Sequence, residues 1–221
     1  MNIEMNMSGH EIARGLIATE YGVKVNRGHD EMSAAMHVEV LGTDSVFMRV
    51  IAAPRALVFK AWINPKQLAR WCGPLLMTCL VCEGDLRTGG WYRLVMRSPD
   101  GVDYRLAGIY REIVAPERIV GTVDTRKFSP VWHDMLKQYC NGEPATEMLW
   151  AVSFEEQDGN TKLTIRTNFA SLADRDAFMK MGMSDGLSQS LDRLEKLAVT
   201  ALIEQTSCGI RSGAVEFFSP S

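Results

Sequence analysis

The sequence predicts an α+β domain in which an antiparallel sheet is joined to a long C-terminal helix. Three patterns carry this prediction. A strand-like segment is followed by two helical segments with prolines at their starts, six further strand-like segments are linked by turn signals, and the last long segment repeats its apolar residues at helical spacing. We therefore expect about six or seven strands, two short helices after the first strand, and one long final helix.

The first elements are marked by alternation and by prolines. Val46, Met48 and Val50 alternate with Arg49, which is typical of a strand with one buried apolar face. Pro54 ends that strand and begins a helix, and Asn64-Pro65 ends this helix and begins a second one. Gly73-Pro74 ends the second helix.

Six later segments combine strand-forming residues with short links that contain glycine, proline or aspartate, so neighbouring strands are expected to pair antiparallel. These segments cover residues 77–83, 91–97, 103–114, 118–125, 147–155 and 161–169. The link 126–146 is longer, and we expect it to form a short helix around Trp132–Tyr139 and to act as a lid.

A single long helix is predicted after residue 171. Ser171 has the residue type and position of an N-cap, with Asp174 in the first turn. Apolar residues then recur at helical spacing, so one face of this helix is expected to be buried. These residues are Phe178, Met183, Leu187, Leu191, Leu194 and Ala198.

Length and composition favour one domain with two appendages. The chain has 221 residues, of which 46% are hydrophobic, enough for one sizeable core. We assign residues 38–205 to the domain, residues 1–37 to a peripheral or partly disordered extension, and residues 206–221 to a C-terminal tail. The five cysteines are an odd, scattered set, as expected for reduced thiols.

Charge and hydropathy argue against two kinds of partner. The 24 basic and 27 acidic residues are nearly balanced and form no long run of one sign, so nucleic acid is not expected. No stretch is apolar for long enough to span a bilayer, and Met1-Asn2-Ile3-Glu4 does not resemble a secretory signal. We expect a cytoplasmic protein that does not insert into a membrane. Whether it forms a homodimer is left open by the sequence.

Several short segments in order resemble the SRPBCC superfamily, also described as START-like or Bet v 1-like, and within it the branch named for the activator of Hsp90 ATPase. The segments are Trp71-Cys72-Gly73-Pro74, Asp85-x-Arg87-x-Gly89-Gly90, Gly108-x-Tyr110-x-Glu112-Ile113, Pro116-Glu117-Arg118 and Gly186-x-x-Gln189-Ser190-Leu191-Asp192-Arg193-Leu194. The resemblance implies the helix-grip fold, in which a curved antiparallel sheet wraps around a long C-terminal helix and encloses a cavity.

Strand alternation then predicts which side chains face that interior. The basic residues of two neighbouring strands are placed toward water, so their apolar and aromatic neighbours face inward. With one face of the final helix, the predicted ligand-binding residues are Trp71, Tyr92, Leu94, Met96, Leu106, Tyr110, Trp150, Val152, Phe178, Met179, Met183 and Leu187. The alternative is that these residues simply fill a core, because apolar faces exist chiefly to be buried.

The sequence contains few candidate residues for catalysis or metal binding. Glu112 is the one acidic candidate for a general acid or base in the predicted interior. Cys79 and Cys82 have C-x-x-C spacing, but on a regular strand their side chains would point to opposite faces, and no second pair follows. We therefore expect no metal, no cofactor and no redox role for this pair.

Three functions remain open. The first is binding of a small apolar ligand in the cavity, as a carrier or sensor. The second is a protein-interaction module that acts on an Hsp90-type chaperone, as the branch name implies, and the third is a cyclase-like or hydratase-like enzyme that uses tyrosine and glutamate. An exposed apolar patch over a sealed interior would favour the second, and an open pocket would favour the first.

Overall fold

The computed structural model describes residues 35–140 and 142–212, and from residue 206 onward only the backbone. The strands are β1 (His37–Leu41), β2 (Asp44–Ile51), β3 (Thr78–Gly84), β4 (Trp91–Arg97), β5 (Asp103–Val114), β6 (Arg118–Asp124), β7 (Glu147–Gln157) and β8 (Asn160–Asn168). The helices are α1 (Arg55–Ile63), α2 (Pro65–Trp71), α3 (Pro130–Cys140), α4 (Leu172–Lys180) and α5 (Met183–Ser212). No helix in these ranges is long and apolar enough to cross a membrane.

The strands form an antiparallel sheet in the order β1-β2-β8-β7-β6-β5-β4-β3. Strands β3 to β8 pair in sequence order, as the short turns predict, and β2 returns to pair with β8. This architecture, with α5 as its long C-terminal helix, confirms the predicted α+β helix-grip fold.

Strand β1 adds one strand to the predicted six or seven. It pairs with β2 from His37–Met48 to Leu41–Asp44, and Gly42 has a φ of +59° in the turn between them. Most of its side chains are exposed, so the sequence lacks the alternation that reveals a half-buried strand. The rest of the predicted extension, and the predicted tail beyond residue 212, lie outside the described residues.

The predicted buried face of β2 is wrong for Met48 and Val50, which are only partly buried, although Val46 is buried. Phe47, Arg49 and Ile51 are the residues that point into the molecule, with 1%, 4% and 0% exposure. Arg49 is neutralised there by two carboxylates of α5, at 2.6 Å from Asp192 and 2.7 Å from Glu195. Partners more than 140 residues away thus permit a charged residue on the apolar face.

The predicted helices α1 and α2 are confirmed, and the junction between them is held by a side chain. The Asn64 Oδ1 atom accepts hydrogen bonds from the backbone N–H groups of Lys66 and Gln67, and Pro65 occupies the first turn. This cap ends one helix and begins the next within a single residue.

The prediction of a single final helix is also wrong, because the structure has two helices there, α4 and α5. Ser171 caps α4 as predicted, accepting a hydrogen bond from the Asp174 N–H. The helix then ends at Lys180, and Gly182 has a φ of +84°, in the left-handed region that glycine adopts without a Cβ clash. Helix α5 begins directly afterwards at Met183.

The buried apolar residues form two clusters. The main cluster lies between α1, α2, α5 and the part of the sheet that includes Phe47, Phe154 and Leu163. The second cluster joins α3 and α4 to the sheet through Leu136, Phe169 and other residues. Trp150 and Met183 pack against both clusters.

Candidate functional site

A cavity of about 370 Å³ lies between the inner face of the sheet and the five helices α1 to α5. Of the twelve residues predicted to line it, eleven do so, and Met179 does not. The eleven are Trp71, Tyr92, Leu94, Met96, Leu106, Tyr110, Trp150, Val152, Phe178, Met183 and Leu187. Met179 packs against the main cluster instead, because Phe178, its neighbour in α4, takes the cavity side.

The wall also contains residues that strand alternation and helix spacing did not select. Thr167 comes from β8, Trp132 from α3, and Gln189 with Ser190 from α5. Trp132 stacks on Phe128 with ring centroids 4.2 Å apart. An aromatic residue inside the long link was the one sequence feature that could have placed Trp132 in the wall. Thr167 and Gln189 belong to no sequence pattern that indicates a cavity.

The polar groups of Tyr92 and Trp150 are bonded to each other and to the sheet. The Tyr92 hydroxyl donates to the Thr122 carbonyl at 2.7 Å and accepts from the Trp150 indole N–H at 2.9 Å. Gly121 makes room for the indole, since a Cβ at that position would lie 2.6 Å from the Trp150 ring. These two side chains thus hold the wall together, and their polar atoms are already satisfied.

Tyr110 extends the same aromatic wall. Its ring centroid is 5.2 Å from that of Tyr92 and 6.4 Å from that of Trp150. Burial, with a smaller effect of the nearby Cys82 thiol, raises the pKa of Tyr110 to about 12. Burial also raises the pKa of Tyr92, opposed by the hydrogen bond from Trp150. Both phenols therefore stay protonated well into the alkaline range.

We expect the free energy of unfolding to fall as the pH rises from about 10 to about 12. The unfolded chain releases the Tyr110 proton near the ordinary tyrosine pKa of 10.0 and the folded chain only near 12, so alkaline pH favours the unfolded state. The free energy of unfolding, measured with urea across this pH range, should decline less steeply for Tyr110→Phe than for the unaltered chain. Equal declines in the two proteins would mean that Tyr110 titrates normally when folded.

The turn that follows α2 forms part of the wall and is fixed to α5 by side chains of the Gln189-Ser190-x-x-Arg193 segment. Gln189 accepts a hydrogen bond from the Leu75 N–H at 2.7 Å, and Ser190 donates to the Gly73 carbonyl at 2.8 Å. Arg193 also donates to the Gly73 carbonyl. The segment that contributed to the sequence resemblance therefore positions the cavity wall.

Helix α3 confirms the helix predicted in the long link and covers one end of the cavity. Asp174 of α4 ties the end of this link down, because its carboxylate accepts from the Ala145 N–H at 3.0 Å and contacts the Cys140 thiol at 3.6 Å. Ser171 donates to the same carboxylate at 2.6 Å. Helices α3 and α4 thus form one unit over the sheet.

Glu112 lies outside the cavity, and its predicted inward position is wrong. A β-bulge between Tyr110 and Glu112 reverses the alternation, so Ile113 packs against the main cluster and Glu112 faces outward. Its side chain is 47% exposed and lies 3.6 Å from Arg118. Among the described residues, the cavity has no acidic, basic or histidine side chain in its wall.

A second bulge corrects the prediction for the C-x-x-C segment. Strand β3 pairs Cys79 with Met96 and Cys82 with Leu94, with a register shift between Cys79 and Val81. Met96 and Leu94 both line the cavity, so the two cysteines share that face of the sheet. The expectation of opposite faces assumed a regular strand.

Comparison with protein families decides the classification. The family model described as "Activator of Hsp90 ATPase homolog 1-like protein" matches residues 52–198, about two thirds of the chain. The chain belongs to this family. The match begins directly after β2 and ends inside α5, so it includes every residue assigned to the cavity wall.

Solved structures that are similar to this chain share its fold. A protein from Rhodobacter sphaeroides is 19% identical, with a TM-score of 0.64, and the match covers 75% of this chain and 99% of that one. A protein from Nitrosomonas europaea is 23% identical, with a TM-score of 0.61 and coverage of 73% and 97%. An AHSA1-like protein from Aeromonas hydrophila is 19% identical, with a TM-score of 0.53 and coverage of 72% and 93%. No curated protein matches the chain.

Proposed function

We propose that this chain binds a small apolar ligand in the cavity between the sheet and α5, as a carrier or sensor. The observation that carries the proposal is an uncharged cavity of about 370 Å³ in the part of the chain that the structure describes. This volume lies within the range of about 300–1,000 Å³ that is usual for small-molecule sites. The superfamily to which the resemblance points is known for such cavities.

The chemistry of the wall supports a ligand that is mainly apolar. Transferring apolar surface from water into such a wall is favourable, at about 25 cal/mol per Å² buried. The Trp150 indole N–H donates its hydrogen bond to the Tyr92 hydroxyl. The ligand therefore needs no strongly polar group to form hydrogen bonds with these two side chains. Thioethers from Met96 and Met183 allow the wall to adjust to an irregular shape.

Replacing Leu94 with glutamate should weaken the binding of a neutral fluorescent probe, N-phenyl-1-naphthylamine, by at least ~tenfold, because a carboxylate in an apolar cavity is costly to desolvate. The matched control is Leu86→Glu, which places the same charge at a leucine that is 40% exposed and outside the wall. Fluorescence titration gives both affinities. Equal affinities in folded variants would show that the probe does not bind in the cavity.

A second candidate, action on an Hsp90-type chaperone, is favoured by one observation. Trp91 and Ile109 are directly paired neighbours on β4 and β5, and they are 51% and 40% exposed on the outer face of the sheet. Exposed apolar pairs of this kind occur at protein interaction sites. The ATPase rate of such a chaperone, measured with and without this chain, distinguishes the two candidates.

The enzyme hypothesis needs an acidic residue inside the cavity. Glu112 was the candidate for this role, and it lies outside the cavity.

A further inference from the structure

Three thiols converge where the end of α2 meets β3. Cys72 is the C-cap of α2 and is buried, whereas Cys79 and Cys82 are partly buried in β3. The β3 bulge turns both strand thiols to the same face, and Cys79 packs against the main cluster, which contains Cys72. Cys79 interacts with both other thiols and is therefore the central member.

The surroundings make the three thiols unequal. Hydrogen bonds from Cys72 and then from Cys82 lower the pKa of Cys79, against the opposing effect of burial. The same hydrogen bonds, together with burial, raise the pKa of Cys72 and of Cys82. The thiolate is the nucleophilic form of cysteine, so reactivity is concentrated on the central sulfur.

A metal site is a weaker interpretation of these thiols. No group of three or more histidine, cysteine, aspartate or glutamate side chains within residues 35–140 and 142–205 is arranged to hold a metal ion. The thiols are free and adjacent, which is the arrangement of a reactive cysteine with resolving partners.

We propose that Cys79 is a peroxide-reactive thiol and that Cys72 and Cys82 are its resolving thiols, so that the chain forms an internal disulfide through Cys79. The Cys79 sulfur attacks one oxygen of hydrogen peroxide, the O–O bond breaks, and Cys79 sulfenic acid and one water form. A neighbouring thiol then attacks the Cys79 sulfur, the S–O bond breaks, and a second water leaves as the disulfide forms. Each peroxide is reduced to two waters, and two thiols are oxidised.

The site is separate from the proposed ligand function but adjoins the same wall. Cys72 lines the cavity, and the residues paired with Cys79 and Cys82 across β4 line it as well. A disulfide from Cys79 to Cys72 would link α2 to β3, and one from Cys79 to Cys82 would span the bulge. The proposal does not require any ligand to be bound.

The test is oxidation of the full chain with hydrogen peroxide, followed by peptide mapping of every cysteine by mass spectrometry. We expect an internal disulfide that contains Cys79, reversible by a thiol reductant, and loss of the free Cys79 thiol at least ~tenfold faster than loss of Cys140. Cys140 is the internal reference, because burial and the Asp174 carboxylate raise its pKa to about 11. A disulfide that lacks Cys79, or equal reaction of Cys79 and Cys140, would overturn the proposal.

Two variants test the assigned roles. Cys79→Ser should abolish the internal disulfide and leave the slow reaction of Cys140 unchanged. In the double variant with Cys72→Ser and Cys82→Ser, Cys79 should stop at the sulfenic acid, which dimedone labels. A double variant that gives no dimedone adduct at Cys79, although its circular dichroism matches the parent, contradicts the mechanism. The mapping of the unaltered chain tests the proposal even if a variant does not fold.

Discussion

Replacing Gly108 with alanine should destabilise the fold by ~3 kcal/mol, the upper part of the usual range for overpacking a core. A Cβ on this residue of β5 would lie 1.7 Å from the Thr122 carbonyl oxygen and 2.9 Å from the Tyr92 hydroxyl. The first of these atoms belongs to the backbone of a neighbouring strand and cannot turn aside. The methyl group must therefore separate β5 from β6 or break the hydrogen bond between Tyr92 and Thr122.

The measurement is the free energy of unfolding from urea denaturation. Gly142→Ala is the matched control, because a Cβ at position 142 would meet nothing within 4 Å. We expect the control to change stability by less than ~0.5 kcal/mol, as most exposed substitutions do. Similar unfolding midpoints for the two variants would mean that β5 and β6 are farther apart than described.

Replacing Glu195 with alanine should cost ~3–5 kcal/mol, which is typical when one partner of a buried ion pair is removed. The Arg49 side chain is 1% exposed and the Glu195 side chain 10% exposed, at 2.7 Å from each other. Glu195 also accepts a hydrogen bond from the Ala52 N–H at 3.1 Å. The variant leaves a guanidinium in the core with less of its compensating charge, and it removes a tie between β2 and α5.

Asp192→Ala is the comparison for Glu195→Ala, because it removes the other carboxylate of Arg49. Asp192 is 50% exposed, and water can replace much of its interaction, so a smaller loss is expected. Thermal unfolding of both variants at the same pH shows which substitution causes the larger loss of stability. A larger loss for Asp192→Ala than for Glu195→Ala would contradict the assignment of Glu195 as the main buried partner.

Much of the fold follows from local patterns, and the errors have physical causes. Turn residues and prolines predicted β2 to β8, α1, α2 and the cap at Ser171. Alternation failed for Glu112 and for Cys79 with Cys82, because a bulge inserts one residue and reverses the faces that follow. The single final helix predicted from the sequence includes Gly182, whereas the positive φ of this residue ends α4.

The cavity wall was predictable where it follows strand period, as at Leu94, Met96 and Trp150. It was not predictable at Thr167 or Gln189, whose residue types are equally common on surfaces. A cavity is space that no side chain fills, and sequence patterns report which faces are apolar without reporting how closely they meet. The buried position of Arg49 depended likewise on carboxylates that only the tertiary fold brings near.

The two apolar clusters have a consequence for how the chain unfolds. One cluster is built on α1, α2 and α5, the other on α3 and α4, and Trp150 and Met183 contact both beside the cavity. A molecule held there touches both units and adds its binding energy only while both are folded. Occupancy of the cavity should therefore couple the two units, so that they open together during hydrogen exchange where the empty chain opens them separately.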